Sequence, residues 1–146
     1  MDIALHYLTF RPRTEHEVYI KLKKHNIHHE QIHVCITELK EKDYINDEKF
    51  AYNWILERRD YKLRSPLMIR RELFNKGVDK KIIDESMVSG YSGEDEQNVI
   101  KKLIDRNKRT NPGFLGNNDL ILRFKRRLTT QGFSLNHIEN TLKNYI

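Results

Sequence analysis

The sequence predicts an all-α protein, an elongated tandem array of three-helix, helix-turn-helix-like repeats. The stretch from Ser65 to Ile83 carries complete helical punctuation. Ser65 is a good N-cap, Pro66 is pre-set for a first helical turn, and Ile69 and Leu73 share one face. Gly77 then takes the left-handed conformation that ends a helix. The same grammar recurs without gaps: Leu22, Asn26, Ile27, His28, Ile32 and Ile36 reappear 51 residues later as Leu73, Gly77, Val78, Asp79, Ile83 and Met87. They reappear 106 residues later as Leu128, Gly132, Phe133, Ser134, Ile138 and Leu142. Thr14 and Ser65 correspond as caps, and Thr14 with Glu17 makes a capping box. An internal period of this kind marks a repeat architecture, with units at 1–46, 47–90 and 91–146.

Residues 3–10 read as the closing turns of a helix whose apolar side includes Leu5 and Leu8. Its start is poorly marked, so the chain reads as beginning within a unit or at a domain boundary. Arg11-Pro12-Arg13 breaks the pattern, and Thr14 restarts it with a helix carrying Val18 and Leu22 as far as Asn26. A third helix ends near Leu39 and places Cys35, the single cysteine, beside Ile36 as a core residue. Asn46 or Asp47 caps the fourth helix, whose apolar side is Phe50, Trp54 and Ile55 or Leu56, with Trp54 a buried anchor. The helix capped by Ser65 stops at Lys76, and Asp79 caps the next, which turns Ile82, Ile83 and Met87 inward. Residues 87–93, with two Gly and two Ser, read as a linker. Glu94-Asp95-Glu96 opens a helix that buries Val99, Ile100, Leu103 and Ile104; residues 106–116 read as a long loop; and Asn117, Asn118 or Asp119 caps the last helix pair.

Charge is unevenly spread. Lys and Arg against Asp and Glu number seven and seven in residues 1–46, ten and eight in 47–90, and ten and six in 91–146. The excess toward the C-terminus favours polyanions or an acidic protein partner, and equally suits a solubilising surface. Arg58, Arg59, Lys62 and Arg64, together with Arg70 and Arg71, form one candidate contact group, suited to phosphate. A solvated helix face with Arg stems over apolar surface explains the same letters. Arg123, Lys125, Arg126 and Arg127 form a second group, four cations in five residues that packing does not require. Six of the seven histidines, His6, His16, His25, His28, His29 and His33, lie in the first unit. His29 and His33 share a helix face, but two ligands are too few for a metal site.

No phosphate loop, nucleophile elbow, HExxH or paired CxxC occurs, and carboxylates are scattered beside Lys or Arg. The expectation is a protein without catalytic residues, metal or cofactor. No apolar run approaches the roughly 20 residues that span a bilayer, and no signal-peptide core opens the chain, so a cytoplasmic location is expected.

Residues 8–18, Leu-Thr-Phe-Arg-Pro-Arg-Thr-Glu-His-Glu-Val, are followed by Tyr44-Ile45-Asn46-Asp47-Glu48-Lys49-Phe50-Ala51, Arg64-Ser65-Pro66 with Ile69 to Leu73, and Lys76-Gly77-Val78. In order and spacing these runs resemble the RecX family, regulators of the RecA recombinase. The resemblance covers nearly the whole chain and is strongest from Leu5 to Met87. It implies tandem three-helix units in a curved molecule that binds RecA filaments on single-stranded DNA within their helical groove. It further implies inhibition of strand exchange and coprotease activity, and contact with single- or double-stranded DNA through the basic surface. The alternatives are a helix-turn-helix DNA-binding repressor and an adaptor for an unrelated acidic partner.

Overall fold

The computed structural model describes residues 1–146 as nine α-helices without a strand. They are α1 (Asp2–Phe10), α2 (Glu15–Lys24), α3 (His29–Glu41), α4 (Asp47–Asp60), α5 (Pro66–Asn75), α6 (Lys80–Gly90), α7 (Gly93–Thr110), α8 (Asn118–Gln131) and α9 (Leu135–Lys143). A single 3-10 turn, Phe114–Gly116, precedes α8.

Side chains fix the helix starts. The Thr14 hydroxyl accepts from the Glu17 amide while the Glu17 carboxylate accepts from the Thr14 amide, the reciprocal capping box. Asn46 caps α4, Ser65 caps α5, Asp79 caps α6 and Asn117 caps α8. Each satisfies amides that have no partner within the helix, typically worth ~1 kcal/mol. The stops occupy the repeated register: Asn26, Gly77 and Gly132 all have positive φ, at 58°, 79° and 105°. Val78 N and Phe133 N then return to the carbonyls of Leu73 and Leu128, folding the chain back on the helix just ended.

Helices pack in trios: α1 and α3 against α2, α4 and α5 against α6, α7 and α8 against α9. The apolar interior is divided differently. Eight buried residues, among them Val18, Leu22, Ile32 and Leu39, form a core within α1–α3 and the turn after it. Twenty form one continuous core through α4–α9, from Phe50 to Leu142. The accessible surface is 9464 Å², about a fifth above the ~7,900 Å² expected of a compact monomer of this mass. An all-α tandem array explains that excess.

Three expectations are corrected. Residues 87–93 are no linker: α6 runs to Gly90, Tyr91 is buried, and its hydroxyl donates to the Arg64 carbonyl at 2.8 Å. Gly90 permits this because Ile55 sits where any side chain would project. The loop after α7 starts at Asn111, not Arg106, because Tyr145 covers the last turns of α7, its ring under Lys108 and its hydroxyl bonded to Asp105 at 2.8 Å. Trp54 is half-buried rather than enclosed, stacked on Phe50, and its indole N–H donates to Glu72 at 2.8 Å.

Candidate partner-binding surface

The structure divides the ten candidate cations by what each one touches. Arg59, on α4, is largely covered. It donates from Nη1 to the Gly90 carbonyl at 2.6 Å, from Nε to Asp60 at 2.8 Å, and lies 3.4 Å from Asp95. The hydrogen bond with Asp60 holds the guanidinium above its ordinary pKa and the Asp60 carboxyl below its own. Arg59 therefore fastens α4 to the end of α6 and the start of α7.

Arg58 stacks over the Trp54 ring at 4.1 Å and sits 3.5 Å from Glu72, the carboxylate that also accepts from Trp54. Arg64 reaches the other oxygen of Glu72 at 3.8 Å. Arg70 donates to Asp84 at 2.6 Å, and that bond lowers the Asp84 pKa. Lys125 is 3.8 Å from Glu139. The basic stretch before Ser65 is thus largely neutralised within the protein, with Glu72 as the hub. Nothing in the spacing of the sequence marks Glu72, because only the crossing of α4 and α5 brings these groups together.

Lys62, Arg71, Arg123, Arg126 and Arg127 are exposed and form no ion pair. On α8 the separation is geometric. Ile121, Phe124 and Leu128 turn inward at helical spacing, and Arg123, Arg126 and Arg127, three and four apart, share the outward face. Only Arg127 leans back, 5.5 Å from the Phe124 ring. Arg106, Lys108 and Arg109, on the last turns of α7, extend this surface, and sequence reasoning missed them by placing them in a loop. Arg106 and Arg127 line a cavity of about 240 Å³ with Asn107, Thr110 and Gln131, and no carboxylate lines it. Such a surface can bind phosphate or carboxylate groups by charge-assisted hydrogen bonds.

The histidines make local contacts. The His29 and His33 rings meet edge to face at 4.4 Å, the Tyr19 hydroxyl lies 3.2 Å from His29, and no third metal-ligating side chain joins them. No helix is long and apolar enough to cross a membrane.

Two family models match the chain in succession: RecX, first three-helix domain, over residues 1–39, and RecX, second three-helix domain, over residues 46–87. The chain belongs to the RecX family. A regulatory protein RecX from Caldanaerobacter subterraneus subsp. tengcongensis is 32% identical over 139 residues, covering 95% of this chain and 66% of that protein. One from Streptococcus pneumoniae is 32% identical over 133 residues, 91% of this chain and 50% of the relative. The crystal structure of RecX from Lactobacillus salivarius superposes with a TM-score of 0.87 at 25% identity, over 98% of this chain and 92% of that one. A second regulatory protein RecX structure gives 0.75 at 27% identity, over 92% and 66%. The chain spans from 33 to 66% of the length of such curated relatives. These RecX relatives are named as regulatory proteins, not as enzymes.

Proposed function

We propose that this chain regulates, mainly by inhibition, the RecA recombinase, binding its filaments on single-stranded DNA within the helical groove. In that position it would modulate strand exchange, ATP hydrolysis and coprotease activity in the cytoplasm, without catalysis or cofactor of its own. The observation that carries this reading is the RecX fold over 98% of the chain at a TM-score of 0.87. An extended array also suits the task physically. Units at 1–46, 47–90 and 91–146, each making a weak contact with a successive protomer, bind jointly far more tightly than singly, because each contact raises the effective concentration of the next.

Among the candidate residues, the unpaired cations are assigned to the contact: Lys62, Arg71, Arg123, Arg126 and Arg127. Arg58 and Arg59 are held within the fold, and Arg70 is occupied by its surface ion pair with Asp84, so none of the three is assigned to the contact. Direct DNA contact belongs to the same surface. A sequence-reading repressor is less favoured, because α3, α6 and α9 share no set of base-reading side chains: Lys80 and Lys81 open α6, whereas α9 carries Asn136 and Asn140.

The test is whether the purified chain, at substoichiometric amounts, suppresses RecA-driven ATP hydrolysis on single-stranded DNA. Suppression is expected. Unaltered hydrolysis with selective, tight binding to one duplex sequence would favour the repressor.

A further inference from the structure

The repeat offset recurs in the contacts between trios. The Thr14 hydroxyl, besides capping α2, donates to the Lys76 carbonyl at the end of α5 at 2.6 Å. Its counterpart Ser65, capping α5, donates to the Gln131 carbonyl at the end of α8 at 2.5 Å. His16 and Leu67, each two residues beyond its cap, lie over Gly77 and Gly132. A Cβ at Gly132 would stand 2.6 Å from that of Leu67, and one at Gly77 would overlap the His16 side chain. The second helices of the trios thus abut, N-terminus of one on C-terminus of the next. Each cap hydroxyl accepts an amide proton and donates its own; an ionised Asp, an equally good cap, could only accept.

The two junctions differ in what surrounds them. At the second, one apolar core runs through α4–α9, and Arg59 and Tyr91 add bonds to Gly90 and Arg64. At the first, the two cores part, and no partly buried apolar side chain of α4–α9 packs on the core of α1–α3 or the reverse. The remaining ties are polar: the Glu15 amide donates to Asp47 at 2.9 Å, and burial raises the pKa of that carboxyl. Beside them opens a cleft of about 550 Å³, lined by Leu8, Arg13 and Tyr44 on one side and Lys49, Asn53 and Trp54 on the other.

We infer that the chain moves as two rigid bodies, α1–α3 against α4–α9, and that Thr14, His16 and Gly77 are positioning residues that set the angle between them. A cluster with a shared close-packed interior resists bending, whereas a seam of a few polar bonds next to a cleft yields. The consequence for filament binding rests on the function proposed above, and the hinge itself does not.

The experiment measures distances between spin labels in the full chain with Cys35 replaced by Ala. One pair, at 31 and 81, spans the first junction; another, at 81 and 140, spans the second. All three positions are exposed. Thr14→Val is expected to shift or at least double the width of the 31–81 distribution and to leave 81–140 unchanged, and Thr14→Ser to restore the native distribution. Ser65→Ala is expected to leave 81–140 narrow, because the continuous core holds that junction. Gly77→Ala, which leaves the α2 cap intact, is the second variant should Thr14→Val melt α2, and protection of α2 amides from hydrogen exchange reports which has happened. An unchanged 31–81 distribution in a folded Thr14→Val or Gly77→Ala variant overturns the hinge, as does equal broadening at both junctions. In the ATP hydrolysis assay, an inactive native chain counts against the proposed function alone. A native chain that inhibits beside a Thr14→Val variant that inhibits equally removes these three residues from a positioning role.

Discussion

Arg59 distinguishes a structural cation from a binding one, and its replacement has a calculable effect. Arg59→Ala removes a charged donor from the Gly90 carbonyl at 2.6 Å and an ion pair with Asp95 at 3.4 Å. A hydrogen bond from a charged group contributes ~1.5–3 kcal/mol, and a partly exposed ion pair ~0–1 kcal/mol. Because Asp60 and Asp95 stay near water, their loss of a partner adds little. The expected destabilisation is therefore about 2–3 kcal/mol, read from urea unfolding followed by circular dichroism. Arg59→Lys keeps the charge but not the planar fork that reaches Gly90 and Asp60 together, so it should recover less than half. An Arg59→Ala protein within ~0.5 kcal/mol of the native one, the range of ordinary surface substitutions, would refute the assignment and return Arg59 to the contact surface.

Other consequences follow from single groups. Burial works to raise the Glu17 pKa, but the hydrogen bond from Arg11, the charge of Lys76 and the Thr14 amide outweigh it and leave it lowered. Glu17 thus contributes stability that is complete above its ordinary value of 4.5 and is lost as pH falls through the lowered folded value; Glu17→Gln should flatten the dependence of Tm on pH there. Glu96 is buried and accepts from the Ser134 amide and from His137, both at 2.7 Å. Glu96→Ala should cost ~2–3 kcal/mol in urea unfolding, since the Ser134 amide is left without its acceptor. Burial and the bond to Asp105 push the Tyr145 phenol up to about 12, and burial raises the Tyr91 phenol as well; ultraviolet titration should show two late phenols, of which Asp105→Asn moves only one, that of Tyr145, downward.

Much of the fold is legible in the sequence because its punctuation is local. Caps at Thr14, Ser65 and Asp79 and stops at Asn26, Gly77 and Gly132 depend on hydroxyl or carboxyl oxygens and on tolerance of positive φ, which residue identity reveals. Tertiary decisions are less legible. Gly90 looks like a linker residue, yet it admits Ile55 and the Arg59 guanidinium. The loop reading of residues 106–110 fails because Tyr145, distant in sequence, covers that end of α7. The candidate cations divide into paired and unpaired for the same reason. Charge density locates cations, but only packing shows that Glu72 gathers Arg58 and Arg64 while Arg123, Arg126 and Arg127 stay outward.

The most direct test compares two charge variants in suppression of RecA-driven ATP hydrolysis, after unfolding curves have shown each to be folded. The unpaired set, Arg123→Glu with Arg126→Glu and Arg127→Glu, should lose suppression with stability unchanged. Arg70→Ala, which breaks the ion pair with Asp84, should keep it. Full suppression by the triple variant, or loss confined to Arg70→Ala, would contradict the account.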